Sequence, residues 1–137
     1  MAHAQEVSKV GATEKLTINL GVVDLGQIDL LVQEGFYSNR TDLIRTAIRT
    51  QLSVHADEVK KTVARRTLTV GLRDFSCADL ERAQAAGEML HIQVVGLARI
   101  ADDVSPELAR ATIQSVVVLG AFHANAAVRA ALADRIL

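Results

Sequence analysis

The chain has very few residues of the types that form disulfides, metal sites or aromatic cores. Its 137 residues include one cysteine, one proline, no tryptophan and only 3% aromatic residues. A single cysteine, Cys77, excludes an intrachain disulfide and suits a reducing compartment. No apolar run is long enough to cross a bilayer, and residues 1–13 lack the apolar stretch of a signal peptide. We therefore expect a cytoplasmic protein that does not enter a membrane, with a mobile tail over residues 1–13.

Residues with metal or catalytic chemistry are too scattered to form a site. The four histidines have no metal-ligand spacing, and no phosphate-cradling glycine loop or nucleophile elbow occurs. We expect no catalytic residue, no metal and no cofactor, and the protein is not expected to be an enzyme.

Net positive charge is also absent. The formal net charge is −1. Residues 14–52 contain four basic and five acidic side chains, and residues 53–66 contain four basic and two acidic ones. Strong non-specific binding to nucleic acid needs many cations that neutralise phosphates. The composition therefore allows only an interface with a few well-placed contacts.

The most informative segment is residues 15–52, KLTINLGVVDLGQIDLLVQEGFYSNRTDLIRTAIRTQL. Its first six residues alternate between polar and apolar, which predicts a strand, and two helical patterns follow. No second strand follows nearby, so the backbone groups of the first need a partner. The simplest partner is the same strand of a second copy, and the resulting two-stranded ribbon fits the major groove of DNA.

The predicted helices have recognisable ends. The first is expected to begin near Asp24, which can cap free N–H groups, and to end at Gly35. The second opens with a polar run at residues 38–42. Apolar residues recur at helical spacing in the first helix and are expected to form a buried stripe: Leu25, Ile28, Leu31 and Val32. The apolar residues of the second helix are expected to supply the dimer core: Leu43, Ile44, Ala47, Ile48 and Leu52.

This order of elements resembles the ribbon-helix-helix DNA-binding proteins, the class that includes Arc, MetJ and the CopG-type regulators. The resemblance is carried by the strand at residues 15–20, the turn EGFYS at residues 34–38 and the run NRTDLIRTAIR at residues 39–49. It covers residues 14–52. One departure lies at residues 21–23, Gly-Val-Val, where the family often has proline or a small polar cap, so the junction of strand and helix is less well defined.

The resemblance implies which side chains read DNA bases. In the family, the outward side chains of the paired strands contact base edges. By position these are Lys15, Thr17 and Asn19. Lysine can donate to guanine, asparagine can pair with adenine, and threonine offers a hydroxyl and a methyl group. The alternative is an ordinary solvated strand face.

The resemblance also implies phosphate contacts at the start of the second helix. The matching positions are Ser38, Asn39 and Arg40, where unpaired N–H groups and the helix dipole favour an anion. The alternative, that Ser38 or Asn39 caps its own helix, is compatible with this role. Arg45 and Arg49 lie four residues apart on one helix face and are interpreted as salt-bridged or solvated.

The remaining residues show a weak internal repeat. Residues 53–66 are predicted to form a helical linker. Beyond them, Gly71, Gly96 and Gly120 are 25 and 24 residues apart, and each follows a β-rich run. Helix-like segments follow at residues 78–86, 105–112 and 126–136. We expect a C-terminal α/β domain over residues 67–137, either as three stacked strand–helix repeats or as a small domain with coincidental glycines.

These patterns predict an α+β protein with an N-terminal ribbon-helix-helix domain, a swapped dimer, and a small C-terminal α/β domain. The first hypothesis is a dimeric, sequence-specific transcriptional regulator, a repressor that binds double-stranded DNA. Its C-terminal domain is expected to form higher oligomers or receive a signal, because nothing caps the last predicted strand at residues 115–119. The alternative is a self-assembling or partner-binding protein, antitoxin-like or a scaffold, in which the ribbon mainly dimerises.

Overall fold

The computed structural model describes residues 13–137, which divide into two compact units. One is Lys15–Ala64, and the other contains Glu14 and Arg65–Leu137. The predicted tail lies outside the described residues, except for Thr13. None of the helices in the described part of the chain is both long and apolar enough to span a membrane.

The N-terminal unit consists of an extended segment and three helices. Residues 13–20 are neither helical nor paired in a sheet within the described chain. The three helices follow directly. They are α1 (Val22–Gln33), α2 (Arg40–Val54) and α3 (Ala56–Arg65).

Helix α1 begins two residues earlier than the expected start near Asp24. Gly21 is its N-cap, with an extended backbone, and the Gly21 carbonyl accepts a 3.0 Å bond from the Leu25 N–H. Asp24 therefore lies inside the first turn, where its carboxylate interacts favourably with the helix dipole. The predicted helix start was two residues late, because Gly21 caps the helix through its extended backbone and has no side chain that would mark it as a cap.

Gly35 ends α1 as its sequence position predicted. Its φ is +85°, a conformation that glycine adopts without steric cost. The Phe36 N–H donates to the Leu31 carbonyl at 3.0 Å, and the Gly35 N–H donates to the Val32 carbonyl at 3.1 Å. These two bonds form a Schellman motif, which satisfies the last carbonyls of the helix and turns the chain toward α2.

The segment at residues 53–66 is not one continuous helix. His55 interrupts it, because its N–H bonds to the Leu52 carbonyl at 3.2 Å, three residues back rather than four. The His55 carbonyl then accepts from the Val59 N–H at 3.0 Å and starts α3. No glycine or proline in the sequence marks this break.

The C-terminal unit is a parallel sheet with helices that follow each strand. The strand order is β1-β2-β3, with both neighbouring pairs parallel. The strands are β1 (Thr69–Phe75), β2 (Leu90–Ile100) and β3 (Ile113–His123). The helices are α4 (Cys77–Ala85), α5 (Pro106–Thr112) and α6 (Ala126–Ala131), followed by a 3₁₀ turn at Ala133–Arg135.

Local capping explains where these helices begin. The Ser76 side chain accepts from the Asp79 N–H while the Asp79 carboxylate accepts from the Ser76 N–H, which is a capping box. Ser105 caps α5, with Pro106 at the first helical position, as its sequence predicted. The Asn125 side chain caps α6.

The end of the chain differs from the predicted helix over residues 126–136. Helix α6 stops at Ala131, and after the 3₁₀ turn the chain runs beside β3. Ile136 forms an isolated parallel bridge with Val116, and the Leu137 N–H donates to the Val116 carbonyl at 2.9 Å. The predicted last strand, residues 115–119, is therefore covered on its outer edge at Val116, although no cap was expected there.

The hydrophobic core of the C-terminal unit lies between one face of the sheet and its helices. Strand residues of one parity, such as Ile92 and Val94, pack with Leu80 of α4, Ala109 of α5 and Val128 of α6. Burial of one Leu or Ile side chain of this kind contributes about 1.5–3 kcal/mol. No residue from 13 to 64 is buried in the single chain.

Candidate nucleic-acid interface

The extended segment at residues 13–20 exposes both of its faces. Lys15, Thr17 and Asn19, the predicted base-reading residues, are exposed. The apolar residues between them are also exposed: Leu16 by 80%, Ile18 by 59% and Leu20 by 42%. Because successive side chains of an extended chain point in opposite directions, the segment has one polar and one apolar face.

The start of α2 is fixed by two hydrogen bonds. The Asn39 side-chain oxygen accepts from the Asp42 N–H at 2.8 Å, and the Asp42 carboxylate accepts from the Ser38 N–H at 3.0 Å. Asn39 is therefore the N-cap, the role that the sequence left open for it or Ser38. These bonds hold residues 38–42 in one arrangement and leave the Ser38 side chain exposed.

Arg40 is engaged with α1. Its guanidinium makes two parallel hydrogen bonds to the Asp29 carboxylate, Nε to Oδ1 at 2.7 Å and Nη2 to Oδ2 at 2.8 Å. The hydrogen bond from Arg40 lowers the pKa of Asp29, and the same bond raises the pKa of Arg40. In the single chain, Arg40 joins two helices, so less of its charge is free for a phosphate than the resemblance implied.

Two further arginines lie beside the start of α2. A shallow cleft of about 370 Å³ runs from the helix start along one side of α2, and Arg45 and Arg49 line it together with Ser38 and Asn39. Neither arginine forms an ion pair within residues 13–137. The remaining lining residues are Thr41, Asp42 and Thr46.

Sequence reasoning did not assign a DNA contact to Arg45 or Arg49. The signal that could have found them is their spacing from Thr41, since residues 41, 45 and 49 recur every four positions and share one helix face. This face of α2 begins beside Ser38 and Asn39, where the resemblance implies a phosphate contact. The arrangement joins an anion-favouring helix end with two free cations.

The formal charge of the N-terminal unit is zero. Lys15–Ala64 contains six basic residues and six acidic residues, and six minus six leaves no net charge. Attraction to a phosphate backbone must therefore come from the placement of a few cations. Arg45 and Arg49 at the cleft and Lys15 on the extended segment are the best placed.

Within residues 13–137, no group of three or more His, Cys, Asp or Glu side chains is arranged to hold a metal ion. Cys77 is partly buried, and its thiol lies 3.5 Å from a carboxylate oxygen of Glu81. Burial and this hydrogen bond raise the pKa of Cys77, which disfavours the reactive thiolate.

The model of the ribbon-helix-helix transcriptional regulator family matches residues 11–129. The match extends far beyond residues 14–52, where the sequence resemblance was found, and includes most of the C-terminal unit. No curated protein and no solved structure matches the chain.

Proposed function

Because the chain belongs to the ribbon-helix-helix transcriptional regulator family, we propose that it is a dimeric, sequence-specific DNA-binding regulator. Residues 15–20 of two copies would pair as a two-stranded ribbon and enter the major groove. The observation that carries this proposal is the exposed, two-faced segment at residues 13–20, which has no strand partner in the described chain.

The apolar face of this segment supports the dimer. Leu16, Ile18 and Leu20 are large apolar side chains exposed close together, and such clusters mark interaction surfaces. In a swapped dimer, the paired strands would place them over the helices of both copies. The polar face, with Lys15, Thr17 and Asn19, would then point to the bases.

Phosphate contacts would lie on both sides of the ribbon. Ser38 and Asn39 form the start of α2, and the dipole at that end favours an anion. We assign the larger electrostatic part to Arg45 and Arg49, which line the same cleft. Arg40, held by Asp29, would position the helix start and contact phosphate only with its remaining N–H groups.

Binding of the full chain to DNA tests this proposal. Fragments from the genomic neighbourhood of its own gene would be presented at low and at physiological salt. The test variant combines Lys15→Ala, Thr17→Ala and Asn19→Ala. The control combines Lys60→Ala and Gln84→Ala, which removes one positive charge at exposed positions elsewhere. Specific binding that the test variant loses and the control keeps would support base reading. Equal binding by both variants would refute it.

The C-terminal unit is proposed to join dimers into larger assemblies or to receive a signal. Support comes from its three parallel strand–helix units, in which Gly71, Gly96 and Gly120 lie in register. Units that repeat in register can stack on further units. In this scheme the protein acts in the cytoplasm, and assembly at an operator would repress transcription.

A second function is favoured by the near-neutral charge. A net charge of −1 gives weak general attraction to DNA, and it suits a protein that binds another protein. In that case the ribbon would serve mainly for dimerisation, as in a scaffold or an antitoxin-like protein. Absence of DNA binding even at low salt, with the protein still oligomeric, would favour this function.

A further inference from the structure

The outer edge of β1 is open. Within residues 13–137, β2 is the only strand that pairs with β1. Val70, the second residue of β1, is 64% exposed, and its neighbours in the strand are exposed as well. An unpaired strand with exposed apolar side chains offers a row of free N–H and C=O groups to another strand.

The register shows which strand would fit there. Each step across the sheet sets equivalent residues side by side: Gly71 beside Gly96, and Gly96 beside Gly120. One position earlier, Val70 lies beside Val95 and Val95 beside Leu119. The three strands therefore follow one another at the same register. A copy of β3 from a second molecule can pair with the open edge of β1 at that register, in the same way that β1 pairs with β2.

The glycines show that no described residue occupies the position before β1. A Cβ at Gly96 would lie 2.2 Å from the Gly71 carbonyl oxygen, and a Cβ at Gly120 would lie 2.1 Å from that of Gly96. These two glycines are required by the close approach of the preceding strand. Gly71 has the same kind of backbone, with φ +124°, but a Cβ there would meet no atom of residues 13–137 within 4 Å. Among these residues, none fills the space that a preceding glycine carbonyl would take.

The matching part of the β3 edge is also free of the chain end. The bridge from Ile136 covers β3 at Val116. Strand β1 aligns through β2 with residues 118–123 of β3, beyond that bridge. Residues 136 and 137 therefore bond to β3 only before this stretch. Within the stretch, the Phe122 carbonyl accepts a 2.6 Å hydrogen bond from the Arg129 side chain, which would have to move aside if β1 needs that carbonyl.

Polar side chains lie at matching positions of the two edges. Asp74 on β1 lies beside Arg99 of β2, 3.7 Å away, and Arg99 lies beside His123 of β3. His123 also faces Glu14, and the Glu14 carboxylate lies 2.6 Å from Nε2 of His123. Pairing of the two edges would bring His123 of a second copy to the open side of Asp74.

We propose that the C-terminal units join head to tail, with β3 of one copy paired in parallel with β1 of the next. Gly120 then lies beside Gly71, and Leu119 beside Val70. This contact uses two different surfaces, so it does not close on two copies and generates chains or a ring. It deepens the assembly role proposed above, and it does not require that the ribbon bind DNA.

Disulfide trapping tests the contact in the full chain. Val70→Cys and Leu119→Cys would be placed on separate, differently tagged copies that also carry Cys77→Ser, and the copies would be co-expressed. Within one copy, positions 70 and 119 are two strands apart, roughly 9.6 Å, which is too far for a disulfide. The control pair is Met89→Cys with Leu119→Cys, because Met89 is exposed but lies outside the strands.

The head-to-tail contact predicts a cross-link between the two tags that is several-fold more abundant than in the control pair. Cross-links between two Val70→Cys copies would overturn it, since they would show that β1 pairs with itself. Absence of any cross-link above the control would also overturn it. DNA binding is measured separately on the reduced protein, so failure of this contact is distinguishable from failure of the regulator function.

Charge variants give a second readout that does not depend on cysteine chemistry. Val70→Lys and Leu119→Glu each place a charge at an exposed edge position. Each alone should remove species larger than a dimer in light scattering, and the double variant should restore them through a Lys–Glu pair between copies. Met89→Lys is the control. If Leu119→Glu leaves the large species intact, β3 is not part of the contact.

Discussion

The two units of this chain differ most in what they bury. Residues 13–64 contain no buried side chain, whereas residues 65–137 contain the whole set of buried core residues. Both units have apolar residues at regular spacing, so composition does not explain the difference. The C-terminal unit closes a core between its own sheet and helices, whereas the N-terminal unit leaves its apolar faces open to solvent.

This difference indicates that the two units acquire stability in different ways. A unit with its own core unfolds independently of protein concentration. A unit whose core forms only with a second copy is stabilised by mass action, so its stability rises with concentration.

The largest effect is expected from Leu80→Ala in the C-terminal core. Leu80 is fully buried, and removal of a leucine side chain from such a site costs about 2–5 kcal/mol through lost burial and the cavity left behind. Chemical unfolding followed at two protein concentrations should show the same loss at both. A loss that shrinks at the higher concentration would mean that this core also depends on a second copy.

An effect that is smaller per chain, but depends on protein concentration, is expected from Ile18→Ser. Loss of apolar burial at about 1.5–3 kcal/mol in each of two copies should weaken dimerisation roughly a hundred-fold or more. Sedimentation at dilute concentration measures it, with Met89→Ser as the control. An unchanged dimer would show that the apolar face of residues 13–20 lies outside the interface.

The cleft beside α2 should matter for DNA affinity and not for folding. Arg45→Ala combined with Arg49→Ala removes two cations per copy, and each lost phosphate contact reduces the slope of log affinity against log salt by about one. Fluorescence anisotropy over a salt series measures the slope. Lys60→Ala combined with Lys61→Ala, which removes two cations from exposed positions of α3, is the matched control. An unchanged slope would remove both arginines from the interface.

The smallest effect concerns the pair of Asp29 and Arg40. The pKa of Asp29 is lowered in the folded chain from its ordinary value of 3.8. The pair therefore stabilises the fold above the ordinary pKa, and the contribution is lost as the pH falls through the lowered one. Thermal unfolding of wild type and Asp29→Asn should differ slightly at neutral pH and converge in acid. A difference that persists in strong acid would mean that the ionised carboxylate is not the cause.

Sequence reasoning succeeded where the determinants are local. Ser105 followed by Pro106 predicts the start of α5, and Gly35 predicts the end of α1, because capping depends on a few neighbouring residues. It also found the three glycines of the sheet. Their fixed spacing is a local pattern, although the contacts that require them are not.

It failed where partners are distant or the backbone changes without a marker residue. Asp29 and Arg40 are eleven residues apart, and no periodic pattern links them. The bridge between Ile136 and Val116 joins segments twenty residues apart. The break at His55 has no glycine or proline, and it depends on a single hydrogen bond that shifts from four residues to three.

The most direct test of the central claim is hydrogen exchange of the full chain at residues 15–20. If a second copy completes the N-terminal unit, these backbone amides should be protected at concentrations that support a dimer. The protection should disappear on dilution or in Ile18→Ser, while β2 amides stay protected in both. Unprotected exchange at residues 15–20 at every concentration would contradict the claim that two copies form a ribbon.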